Sequence, residues 1–196
     1  HPVGTWVRYY ARAVLSAGRT VFHPAANQTQ AWVYAVRGVV LPVAAGGDLV
    51  LNELLADNTA GITDPAGEHD DWLELYNRGD EAIDLAGYFL SDDPLDPRAY
   101  ALPDVTLDPR AYYLVWCDHD PAQGVDHADF RLSKDGDQVL LSTDAATVDM
   151  VTFDAQDPDV SYGRSRDGLD SWTTCRSSSP RRANACGGVS AFLPWA

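Results

Sequence analysis

Clustered carboxylates are the first residues in this chain whose types and spacing could do chemistry. Asp64, Glu68, Asp70 and Asp71 fall in one loop-like stretch, and Asp92, Asp93 and Asp96 fall in another. Calcium takes about six to eight hard oxygens, which loop carboxylates, backbone carbonyls and water can supply together. These two loops are therefore the candidate calcium ligands. Further acids gather at Asp118 to Asp129 and Asp154 to Asp159, and no group has the central Gly and closing Glu spacing of a helix-flanked calcium loop. A plainly solvated acidic surface is the alternative.

Other chemistries are weaker in the sequence. Cys117, His119 and His127 could ligate zinc, but a fourth ligand and a Cys-x-x-Cys pair are missing from the pattern. Gly163-Arg164-Ser165-Arg166-Asp167-Gly168 has the look of a nucleophile elbow with its second Gly one position late, and no strand–turn–helix context surrounds it. A turn carrying two arginines explains it better. His23, His69, His119 and His127 have no Ser or Cys at a recognised spacing, although such groups meet in space rather than along the chain. Glu74 stands inside an apolar strand pattern. If that face is covered, its carboxylate needs a partner, and a Glu74–Arg164 ion pair is the expectation.

Charge divides the chain. Four arginines and no acid precede residue 48, whereas all 29 acids lie from Asp48 onward against ten bases, a net −19 for that part. So negative a surface repels phosphate, and a nucleic-acid partner is not expected there. No apolar run is long enough for a membrane helix, the longest being broken by Pro42, so membrane insertion is not expected either. Cys175 and Cys186 flank a Ser-, Pro- and Arg-rich loop and are the expected disulfide, with Cys117 left as a buried thiol; three reduced thiols are the alternative. A disulfide implies an oxidising, extracellular or cell-surface setting.

The elements that must position these groups read as strands. In Trp72 to Asn77, Leu73 and Leu75 point one way and Trp72, Glu74 and Tyr76 the other, the period of two that marks a strand. Asn77-Arg78-Gly79-Asp80 supplies turn residues, and the run from Ile83 to Leu90, interrupted by Gly87, is expected to return as its hairpin partner. Leu49 to Ala56, Tyr100 to Leu102, Ala111 to Cys117, Phe130 to Leu132, Gln138 to Ser142 and Thr147 to Phe153 continue the series. Lys134 to Asp137 and Thr143 to Ala146 are turns between them. Short strands separated by turn signals predict an all-β antiparallel sandwich. Ahead of it, residues 1–47 read as a β-hairpin, Trp6 to Leu15 and Ala31 to Val36, the end of a preceding immunoglobulin- or fibronectin-like domain. Residues 48–196 form the sandwich domain. An isolated hairpin is marginal in water, so this one is expected to dock on the sandwich or to pair with a second copy as a homodimer.

The strings LVLNELLADN at 49–58, DWLELYN at 71–77 with RGDEAIDLAGYFLSDD after it, AYYLVWCD at 111–118, RLSKDGDQVLL at 131–141 and SYGRSRDG at 161–168 resemble a bacterial lamin tail domain over about residues 48–175. The resemblance implies an immunoglobulin-like β-sandwich. It also implies a non-enzymatic binding or spacer module of a larger secreted or surface protein, of which this chain is read as a fragment. Its partner would be a protein or a cell-envelope polymer, and no cofactor is expected beyond a possible calcium ion. The rival is a calcium-binding accessory module of a secreted hydrolase.

Overall fold

The structure is a computed structural model that describes residues 47–186. The expected N-terminal hairpin, and with it dimerisation through that hairpin, lies outside the described residues. The strands are β1 (Leu49–Leu55), β2 (Trp72–Asn77), β3 (Ile83–Asp84), β4 (Tyr88–Ser91), β5 (Tyr100–Ala101) and β6 (Thr106–Leu107). They continue with β7 (Tyr112–Trp116), β8 (Gly136–Thr143), β9 (Thr147–Asp154), β10 (Ser161–Arg164) and β11 (Trp172–Cys175). Among the described residues there is no helix, hence none long and apolar enough to cross a membrane.

All strand pairings are antiparallel. A five-stranded sheet runs β11-β10-β1-β2-β7, a four-stranded sheet runs β5-β4-β8-β9, and β3 pairs with β6 as a small ribbon. The aliphatic faces of the two larger sheets form the core: Leu73 and Leu75 of β2, Val115 of β7, Leu90 of β4, Val139 and Leu141 of β8, and Val151 and Phe153 of β9. Burying each such side chain stabilises the fold by about 1.5–3 kcal/mol. This is the all-β antiparallel sandwich that the strand pattern predicts.

The β8–β9 hairpin closes through the expected turn, where the Thr143 N–H donates to the Ala146 carbonyl at 2.8 Å. The partner of β2 differs from expectation. Its neighbours are β1 and β7, while Ile83 to Leu90 splits into β3 and β4, and β4 belongs to the opposite sheet. Asn77 explains the diversion. Its side-chain amide donates to the carbonyls of Glu81, Leu107 and Asp108 at 2.8, 3.0 and 3.2 Å, tying the turn to the β3–β6 ribbon instead of folding it back on β2. Gly87, at φ 87°, then bends the chain into the second sheet through a conformation that side chains disfavour. Phe130 to Leu132 likewise makes only an isolated bridge, Asp118 to Arg131, and no strand.

β2 is buried on both faces. A bulge at Asn52 resets the alternation in β1, so Leu49, Leu51 and Leu54 face the core whereas Leu55 faces away. Leu55 joins Trp72, Leu114 and Trp116 in a second apolar cluster.

Candidate functional site

Two groups of carboxylates are held partly or wholly out of water. The first is sealed by the segment after β11, which the Cys175–Cys186 disulfide closes into a loop with the Cα atoms 4.2 Å apart. Within it the Ser179 N–H donates to both carboxylate oxygens of Glu53 at 3.0 and 3.1 Å, and the Ser179 hydroxyl donates to Oε2 at 2.8 Å. The Ser161 hydroxyl donates to Glu53 Oε1 at 2.5 Å. The Arg181 N–H donates to Glu74 Oε2, while Glu74 Oε1 is buried with no hydrogen-bond partner. Burial pushes the Glu74 carboxyl up to about 8, with Glu53 and Asp167 adding repulsion and the Arg181 N–H opposing them. Burial raises Glu53 as well, against its serine hydrogen bonds. Glu53 also lies beside the two cysteine sulfurs, but sulfurs joined to each other are not free to ligate a metal.

The Glu74–Arg164 pair does not form. Arg164, 3 % exposed, reaches Asp149 Oδ2 of β9 at 2.7 Å and donates through Nε to the Leu51 carbonyl at 2.6 Å; it also sits 5.1 Å over the Trp172 ring. Strand parity is the cause. Gly163 is the residue packed against Glu53 and the disulfide, so its neighbour Arg164 points the other way, to the facing sheet. The bulge at Asn52 completes this latch, since the Leu51 N–H also donates to Asp149 Oδ2 at 2.9 Å. Sequence reasoning missed Asp149; its one signal is an acid placed inside the apolar alternation of β9.

The second group lies in the loop between β1 and β2. Carboxylate oxygens of Asp64, Glu68 and Asp70 lie within 4.8 Å of one another. Asp64 Oδ1 accepts from the Glu68 N–H at 2.7 Å, and Glu68 Oε2 accepts from Gln123 Nε2 at 2.7 Å. Asp64 Oδ2 and Asp70 Oδ2 are buried without a partner. Asp70 is raised, first by burial and then by the negative charges of Asp118, Asp64 and Glu68. For Asp64 burial is the largest single influence, yet the backbone N–H groups of Glu68, Ala66 and Gly67 together bring it below the usual range.

The remaining candidates stay apart from this trio. Asp71 accepts from the Asn58 N–H at 3.1 Å, and burial pushes it up to about 6. Asp93 caps its own turn by accepting from the Leu95 N–H at 2.8 Å, and the carboxylates of Asp92, Asp93 and Asp96 do not join the group around Asp64. Cys117 is buried and its thiol pushed well up by burial. His119 is exposed against Asp129 at 2.9 Å. His127, 1 % exposed, is held through Nδ1 by Asp118 Oδ2 at 2.5 Å and stacks beside Trp116 with ring centroids 6.4 Å apart. Cys117, His119 and His127 therefore do not assemble a zinc site. Ser165 of the elbow-like motif bonds Ser171, not a histidine.

No curated protein and no solved structure matches the chain. The family model described as Lamin Tail Domain matches residues 42–155, from ahead of β1 to just past the end of β9. That match covers more than half of the sequence, and the two-sheet antiparallel architecture is the one the family's immunoglobulin-like fold requires: the chain belongs to the lamin tail domain family.

Proposed function

We propose that the chain is a non-enzymatic binding or spacer module of a larger secreted or surface protein, working in an oxidising, extracellular setting. One observation carries this reading: among the described residues, the side chains best suited to reaction are occupied in holding the sandwich together. His127 is fixed by Asp118, Arg164 by Asp149 and the Leu51 carbonyl, and Cys117 is buried with its thiol kept protonated. The Cys175–Cys186 bridge supports the oxidising compartment.

An acidic exterior favours a protein or cell-envelope polymer over nucleic acid as partner. Cosedimentation of the purified chain with insoluble cell-envelope polymer, alongside assays on chromogenic ester, peptide and glycoside substrates, tests the reading. Retention without turnover is expected. Turnover abolished by His127→Ala or Asp118→Asn would overturn it.

A further inference from the structure

We propose that Asp64, Glu68 and Asp70 form a calcium-binding site. Asp64 is 6 % exposed, yet its Oδ2 has no hydrogen-bond partner, and neither does the buried Oδ2 of Asp70. Burying a carboxylate oxygen without a donor is costly, and the usual remedies are a proton, a basic side chain or a cation. A basic partner is not at hand: no ion pair among the described residues includes Asp64, Glu68 or Asp70. The turn uses Asp64 as an acceptor, its Oδ1 taking the Glu68 N–H at 2.7 Å, which leaves Oδ2 as the oxygen still to be satisfied. The imidazole of His127 is itself held by Asp118 Oδ2 at 2.5 Å.

The donor set selects the ion. All three ligands are hard carboxylate oxygens, with no sulfur or imidazole among them, which points away from zinc and copper. The ligand oxygens all lie within 4.8 Å of one another, inside the limit of roughly 5 Å that separates two oxygens on opposite sides of one calcium. Asp64 is buried and Glu68 exposed, so the set enters from one side and leaves outer positions to water. Calcium tolerates such irregular coordination, whereas magnesium demands a near-ideal octahedron. Because Glu68 also holds Gln123, the ion would pin the β1–β2 loop to the segment after β7. The site does not depend on the binding-module reading.

The test is a thermal melt of the full chain in 10 mM calcium chloride, in 10 mM magnesium chloride, in sodium chloride of equal ionic strength, and in chelator. With a Kd of about 0.1–1 mM, as in extracellular calcium modules, a calcium-specific rise of roughly 5–10 °C is expected. Asp64→Asn and Asp70→Asn should remove it. In Asp64→Asn the side-chain amide oxygen can still accept from the Glu68 N–H, so the turn should persist. Glu68→Gln, at an exposed position where misfolding is not a concern, should weaken calcium binding about tenfold by calorimetry. A rise no larger than that in sodium chloride, an equal rise in magnesium, or a calcium response unchanged in all three variants would overturn the site.

Discussion

Replacing Glu74 by Gln should make the protein more stable, and increasingly so as the pH rises. Glu74 is wholly buried, and its carboxyl titrates at about 8 in the fold against 4.5 in an unfolded chain. The folded state therefore holds a proton that the unfolded state releases. Its contribution is fully present below pH 4.5, declines between 4.5 and 8, and is lost above. Each pH unit separating the two titrations corresponds to ~1.36 kcal/mol, so the ceiling is about 5 kcal/mol, and some opening of the covering segment to water brings the expectation to about 2–4 kcal/mol. Gln keeps the shape and an oxygen for the Arg181 N–H but cannot ionise. Urea unfolding of both proteins from pH 4.5 to 9, with the disulfide intact, is the assay. The difference should be small at the acid end and reach its full size near pH 9. Asp70 and Asp71 titrate in both proteins, so the difference reports Glu74 together with its repulsion by Glu53. Parallel curves would refute the reasoning, because they would mean that water already reaches Glu74 beneath Ser179 and Arg181.

Arg164→Ala should cost about 3–5 kcal/mol in the same unfolding assay, since it strands Asp149 and the Leu51 carbonyl at the junction of the sheets. Leu75→Ala, at a fully buried β2 position, should cost about 2–5 kcal/mol by the same readout. The paired change Cys175→Ser with Cys186→Ser opens a loop of sequence separation 11 and should lower stability by about 2–3 kcal/mol. In that variant the Glu74 titration, followed by the pH dependence of unfolding, should move down toward 4.5 as the covering segment loosens.

Much of the sandwich is legible in the sequence because alternation is a local signal. Leu73 and Leu75 against Trp72, Glu74 and Tyr76 give β2 its two faces without any knowledge of its neighbours, and Thr143 to Ala146 marks its own hairpin. Which strands lie beside β2 is not local. The Asn77 turn looks like a reversal, and only the carbonyls of Leu107 and Asp108, about thirty residues away, show that it carries the chain to the other sheet. The partner of Arg164 fails for a related reason. A one-residue bulge at Asn52 and the parity of β10 decide which sheet it meets, and neither leaves a composition signal. The acidic loop is partly legible: Asp64 and Glu68 belong to one tight turn, and Asp70 follows. Asp71 is drawn off by Asn58, and Asp92 to Asp96 close a turn of their own. The cover over Glu53 and Glu74 comes from backbone N–H groups of Ser179 and Arg181, donors that every sequence carries and none advertises.

The central claim is that the β1–β2 pair is closed on both sides, by the facing sheet and by the disulfide-tied segment, so that its charged groups hold the fold together. Native-state hydrogen exchange tests this most directly. With the disulfide intact, the amides of Trp72 to Asn77 should be among the slowest to exchange, and those of Ser179 and Arg181 should be protected well beyond free-chain rates. Exchange of Ser179 and Arg181 at free-chain rates in the oxidised protein would contradict the account.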